Sequence, residues 1–137
     1  MASRREARRQ AIDVLFQADL TGADARRILA EWHAAGRGVD PFAEGLVEGV
    51  TAARDEIDTL LSAHSEHWSL DRMAGVDRTI LRVATYELLH RQDVPPAVAI
   101  DEAVRAAKEL STEDSGAFVN GILGQIVRDA GRSRPSA

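Results

Sequence analysis

Arg4, Arg5, Arg8 and Arg9 stand at i, i+1, i+4 and i+5 within the opening MASRREARRQ. On a helix that spacing collects four guanidinium groups along one side, next to an apolar stripe. Guanidinium forks match phosphate oxygens and stack on flat bases, so the chemistry this cluster suits is nucleic-acid binding. Four phosphate contacts to a single strand predict a salt slope of about −3, from ~0.7 per contact, and roughly a fifty-fold affinity loss between about 50 and 200 mM salt. The alternative is a solvated N-terminal arm whose arginines only keep the chain soluble.

A second cluster is the stretch ELSTEDSGAFVNGILG, residues 109–124. Ser111 with Asp114 fits a capping box, and Glu113 favours the positive end of the helix that follows. Phe118, Val119, Ile122, Leu123 and Ile126 form its buried face by spacing. Ala117, Gly121 and Gly124 make a strip of small residues where another helix backbone is expected to come near. Phe118, close to the helix start, is also placed to offer a stacking platform for a base. His64 and His67 stand at i, i+3, but no third ligand is nearby and a solvated helix end is the simpler reading. Trp32 and Trp68 read as core or interface aromatics. The sequence has no cysteine, which excludes disulfides, thiolate metal sites and cysteine nucleophiles. No P-loop, GxGxxG or GxSxG motif and no carboxylate pair suited to acid–base work is present, so neither an enzyme nor a cofactor is expected.

The elements that must position these residues are helical. Of the 137 residues 45% are hydrophobic but only 4% aromatic, so Ala, Leu, Val and Ile must build the core. Ala7, Ala11, Val14, Leu15 and Ala18 make the first amphipathic stripe, closed by Thr21-Gly22. Asp24 caps a second helix to about Ala35, and GRGVDP, with Pro41 suited to a first helical position, is the clearest linker. A third helix from Asp40 breaks near Thr51 to Arg54, and its apolar face continues through Ile57, Leu60 and Leu61. Ser69 or Asp71 starts a turn before a long helix from about Gly75 to His90, with Ile80, Leu81, Ala84 and Leu88 inward. Val94-Pro95-Pro96 ends it. Ile100, Ala103, Val104, Ala107 and Leu110 repeat the pattern, and the last helix runs from Ser111. No strand pattern appears. The expectation is an all-α bundle of about seven helices, one domain over 1–130 with a disordered tail at 131–137. The four arginines against Glu6 make the first nine residues +3, which leaves −8 for the rest of a chain of net charge −5. A basic arm on an acidic body directs an anionic partner to one end. No run is apolar enough to span a bilayer or to serve as a secretory signal, which points to a cytoplasmic protein with no membrane partner.

VDRTILRVATYELL (76–89), DVPPAVAIDEAVRAAKELSTEDSGAFVNGILG (93–124) and the arginine-rich first helix together resemble the NusB family of bacterial antitermination factors. The resemblance runs from about Arg4 to Ile126. It implies two small helical subdomains and binding of the boxA element of nascent RNA as a single strand. It further implies joint binding with NusE, a small-subunit ribosomal protein, and loading into an RNA polymerase antitermination complex that supports ribosomal RNA transcription. RNA-facing positions of the family map onto Arg4, Arg5, Arg8, Phe16, Asp114 and Phe118, and the contact to NusE maps onto Asp77. Glu6 stands where the family has a further arginine, and Arg9 supplies the charge further along. Ala106 replaces a usual leucine and Gly124 a common acidic residue. Some family members also pair into homodimers that cover the RNA surface. Two other readings stand beside this one: a detached targeting domain of a ribosomal RNA methyltransferase system, and a helical dimerisation module. The RNA-binding reading predicts that Arg5→Glu or Arg8→Glu weakens binding while stability stays nearly unchanged.

Overall fold

A computed structural model describes residues 3–65 and 69–133. The order is α1 (Arg4–Thr21), α2 (Ala25–Ala34), α3 (Pro41–Ala52), α4 (Arg54–His64), a 3₁₀ turn at Leu70–Arg72, α5 (Gly75–His90), α6 (Pro96–Leu110) and α7 (Glu113–Ser133). Among the described residues there is no strand, and no helix is long and apolar enough to cross a membrane. His67 and Trp68 lie outside the described residues.

Local chemistry sets the boundaries. Ser3 caps α1 by accepting from the Glu6 N–H at 3.1 Å, and Gly22 ends it in the left-handed region at φ 76°. Asp24 and Asp40 cap α2 and α3 by accepting from the N–H groups of Arg26 and Phe42. α3 and α4 are separated by Ala53 alone, and Pro95 leads into α6.

The first three helices pack on one another, and α4, α6 and α7 gather around α5, which also touches α1 and α3. Because α5 has neighbours on nearly every side, its buried residues include Asp77, Thr79, Arg82, Thr85 and Glu87 as well as Ile80, Leu81 and Ala84. That is wider than the single stripe its apolar spacing suggests. One continuous core joins both groups of helices. At its edge, Gly49 of α3 meets Tyr86 of α5 so closely that an added Cβ would lie 2.1 Å from the tyrosine Cζ. Gly49→Ala is therefore expected to destabilise by about 1–3 kcal/mol through overpacking. Chemical denaturation measures this, and an unchanged midpoint would mean that the Tyr86 ring swings away freely.

The end of α1 is tied to α5 and α4 by ions. Asp19 accepts from Arg78 at 2.6 Å and from Arg82 at 3.1 Å, and Arg82 also binds both Asp58 oxygens at 2.8 and 3.0 Å. Burial pushes the Asp19 carboxyl up, but the two guanidinium hydrogen bonds outweigh it and hold the group below its ordinary 3.8. A depressed folded pKa contributes stability that is present above the ordinary value and is lost as pH falls through the folded one. The midpoint of urea unfolding should thus fall below pH 3.8, and Asp19→Asn should flatten that acid limb. An equally steep limb in the variant would assign acid unfolding to other carboxylates.

Three sequence expectations about α7 are corrected. The cap is Thr112, whose hydroxyl accepts from the Ser115 N–H at 3.1 Å, whereas Ser111 closes the end of α6. Among the described residues Gly121 has open space beside it and Gly124 meets only Arg128 of its own helix, so none of them covers the small-residue strip; the close approach is Gly116 against Lys108 of α6. The helix also continues to Ser133, into the segment expected to be a disordered tail, and residues 134–137 lie outside the description.

Candidate nucleic-acid interface

The long first helix fixes where the arginines go. Arg4, Arg5 and Arg9 are at the surface, but Arg8 is 7% exposed. Its Nε and Nη2 donate to the two carboxylate oxygens of Glu87 on α5, both at 2.8 Å. The expected row of four presented guanidinium groups is therefore a row of three at the surface, with Arg8 turned inward onto Glu87. Arg8 lies one step from the Ala7–Ala11–Leu15 stripe, so the turn that exposes Arg9 carries Arg8 inward. The hydrogen bond that Arg8 donates to Glu87 raises the Arg8 pKa against the opposing effect of burial.

The three outer arginines are paired as well. Arg4 donates to Asp93 at 2.9 Å. Arg5 forms a two-pronged bond to Glu102 of α6 at 3.1 and 2.9 Å. Arg9 pairs with Glu109, two helical turns beyond Glu102. The Arg5 hydrogen bond holds the Glu102 carboxyl below its usual range, against burial. Carboxylates thus sit on the guanidinium forks where phosphate oxygens would bind. The Arg4, Arg5 and Arg9 side chains remain open to water, 51%, 54% and 40% exposed, so an arriving phosphate reaches them. Phe42, at the start of α3, supports this end from below: the guanidinium carbons of Arg4, Arg8 and Arg91 lie 4.5, 5.3 and 4.7 Å from its ring centre.

Further along α1, Phe16 is half-buried against the first residue of α5. A Cβ on Gly75 would stand 3.0 Å from its ring. Past Gly75 opens a cleft of about 280 Å³ lined by Arg72, Met73, Asp77, Asp114 and Phe118, among others. Asp114 is exposed and Phe118 half-buried at its wall. Asp77 is 8% exposed. One of its oxygens accepts from the Ser115 hydroxyl at 2.9 Å, and the other, Oδ1, has no hydrogen-bond partner among the described residues. The structure therefore leaves Arg4, Arg5 and Arg9 at the surface of α1, sets Phe16 of the same helix against Gly75 at the start of α5, and places Asp114 and Phe118 at the nearby cleft with Asp77 sunk into it.

Sequence reasoning did not find the carboxylate partners Glu87, Asp93, Glu102 and Glu109. The i, i+7 spacing of Glu102 and Glu109 was the available signal, since it places two acids on one line of α6. His64 has its own partners, Asp129 and the Leu60 carbonyl, at 2.8 and 2.9 Å. Among the described residues no group of three or more His, Cys, Asp or Glu is placed to hold a metal ion.

Seven α-helices among the described residues, with an arginine-bearing first helix and a cleft at the start of α5 walled by Phe118, define a class of small all-α domain. The model of the NusB family matches residues 5–128. A Transcription antitermination protein NusB of Saccharopolyspora erythraea is 51% identical, covering 98% of this chain and 93% of the relative. One from Salinispora tropica is 46% identical over 96% of this chain and all of the relative. Among solved structures, T. maritima NusB superposes with a TM-score of 0.83 at 39% identity, covering 93% of this chain and 92% of that one. A crystal structure of antitermination factors NusB and NusE in complex with dsRNA gives a TM-score of 0.81 at 28% identity, covering 92% and 96%. The chain belongs to the NusB family of transcription antitermination proteins.

Proposed function

We propose that this protein is a non-enzymatic adaptor that binds single-stranded boxA-type RNA jointly with NusE and enters an RNA polymerase antitermination complex, supporting ribosomal RNA transcription. The observation that carries this reading is the placement of Arg4, Arg5, Arg9 and Phe16 along α1 with Phe118 at the nearby cleft. RNA phosphates exchange for Asp93, Glu102 and Glu109 on the guanidinium forks. Bases stack on the two aromatic rings, and stacking demands unpaired bases, which favours a single strand. Asp114 carries no attraction for phosphate and accepts instead from a base amino group or a 2′-hydroxyl. The unpartnered oxygen of buried Asp77 suits a hydrogen-bond donor from a protein partner, because an unsatisfied buried acceptor is costly until one arrives. A relative solved with both NusE and RNA supports the pairing of these partners.

Fluorescence anisotropy of a labelled boxA-type RNA, as single strand and as duplex, with and without NusE, tests the proposal. Three phosphate contacts predict a slope of about −2 in log affinity, or roughly a twenty-fold loss between about 50 and 200 mM salt. NusE should tighten binding, the duplex should bind less well, and Arg5→Glu/Arg9→Glu should remove most of the affinity while melting stays as in the wild type. Sequence-indifferent binding unaffected by NusE would sink the proposal.

A further inference from the structure

We infer that the cleft between α1 and the α2–α3 loop, where Arg37 stacks on Trp32, is a further phosphate subsite for the RNA strand, beside Arg9. The inference rests on the RNA-binding reading above. Its starting point is the way α2 ends. Gly36 takes the left-handed conformation at φ 77°. Its N–H donates to the His33 carbonyl at 3.0 Å, and the Arg37 N–H donates to the Trp32 carbonyl at 2.9 Å. This pair of bonds is a Schellman motif, and it folds the residue after the left-handed one back onto the helix, where an apolar side chain usually makes the contact. Here an arginine stands in that position. Its guanidinium carbon lies 3.4 Å from the Trp32 ring centre.

The stack has an electrostatic consequence. Held over the indole, the Arg37 guanidinium makes no hydrogen bond or ion pair among the described residues, unlike the four arginines of α1, each of which has a carboxylate. It is a cation whose hydrogen-bonding edges an incoming anion meets without first displacing an acid. The loop that carries it is latched to α1. Gln10 donates to the Gly38 carbonyl at 3.1 Å and accepts from the Asp40 N–H at 3.0 Å. The latch residue is the neighbour of Arg9, so Arg9 and Arg37 line the same cleft, about 440 Å³ in volume. Its one acid, Asp13, already accepts from Gln17 at 3.0 Å. A strand whose phosphate exchanges onto Arg9 meets a second guanidinium in the same cleft at Arg37. Cation–π stacking keeps that guanidinium flat and ordered before the strand arrives.

Single-stranded RNA titrations of the wild type, Arg37→Gln, Arg37→Lys and Arg5→Gln, across about 50–300 mM salt, decide the matter. Arg37→Gln should weaken binding roughly fivefold at low salt and flatten the salt slope by about 0.7, the value of one lost phosphate contact. Arg37→Lys should keep the slope. Thermal melting of each variant, read by circular dichroism, should match the wild type. If Arg5→Gln loses affinity and slope while Arg37→Gln keeps both, the subsite is wrong and the RNA-binding reading stands. Lost affinity with an unchanged slope would also overturn the subsite, because it would reflect a disturbed loop rather than a lost charge. If the wild type binds no RNA, both fail together.

Discussion

Glu87→Ala should destabilise the fold by roughly 3–5 kcal/mol, because it leaves the Arg8 guanidinium buried without a counter-charge. The Arg8 and Glu87 side chains are only 9% and 2% exposed, and both carboxylate oxygens are occupied by the same guanidinium. In a domain of this size the loss corresponds to a melting-point drop of roughly 10–20 °C. Arg8→Glu should be at least as damaging, since it sets two carboxylates against each other in the core; the sequence-based expectation of nearly unchanged stability is reversed by this burial. The pair itself need not be strongly stabilising. Arg8→Met/Glu87→Leu, which replaces both charges with apolar groups of similar length, should recover most of the loss. Thermal and urea unfolding of the three variants form the check. A Glu87→Ala cost below about 1 kcal/mol would mean that water reaches Arg8 and that the pair behaves as an exposed one.

That contrast also marks what the sequence revealed. Helix positions followed from apolar periodicity and from capping chemistry at Asp24, Asp40, Gly22 and Pro95, which act within a few residues of chain. The burial of Arg8 was half visible: it sits beside the Ala7–Ala11–Leu15 stripe, but its partner lies 79 residues away, and no local pattern announces a contact of that range. The cap of α7 went to Thr112 instead of Ser111 because adjacent hydroxyl residues offer two registers one residue apart, and closure of α6 onto Ser111 selects between them. Spacing alone put Ala117, Gly121 and Gly124 on one line but could not say that the line faces open space. The cationic and aromatic members of the proposed interface could be named from the sequence because they are local to α1 and to the start of α7. Their acidic partners on α6, and the Arg37–Trp32 stack, depend on how helices distant in sequence are brought together.

The same acidic partners give the second large effect. Glu102→Gln/Glu109→Gln should raise affinity for single-stranded RNA roughly tenfold at low salt, through removal of two charges within a few ångströms of the arriving phosphates. In the folded protein Arg5 and Arg9 are already neutralised by these carboxylates, so an RNA strand must displace two anions that remain tethered beside it. Glutamine keeps the side-chain length and one hydrogen bond but removes the repulsion. The salt slope should steepen as well, since the arginines then meet the strand as uncompensated charges. Asp101→Asn provides the control: Asp101 is exposed on the same helix, and its replacement changes net charge without releasing a guanidinium. A rise in affinity with Glu102→Gln but not with Asp101→Asn would establish that α6 restrains RNA binding through specific ion pairs. Equal responses would reduce the effect to overall charge, and no response would mean that Arg5 and Arg9 leave their carboxylates at no cost when RNA arrives.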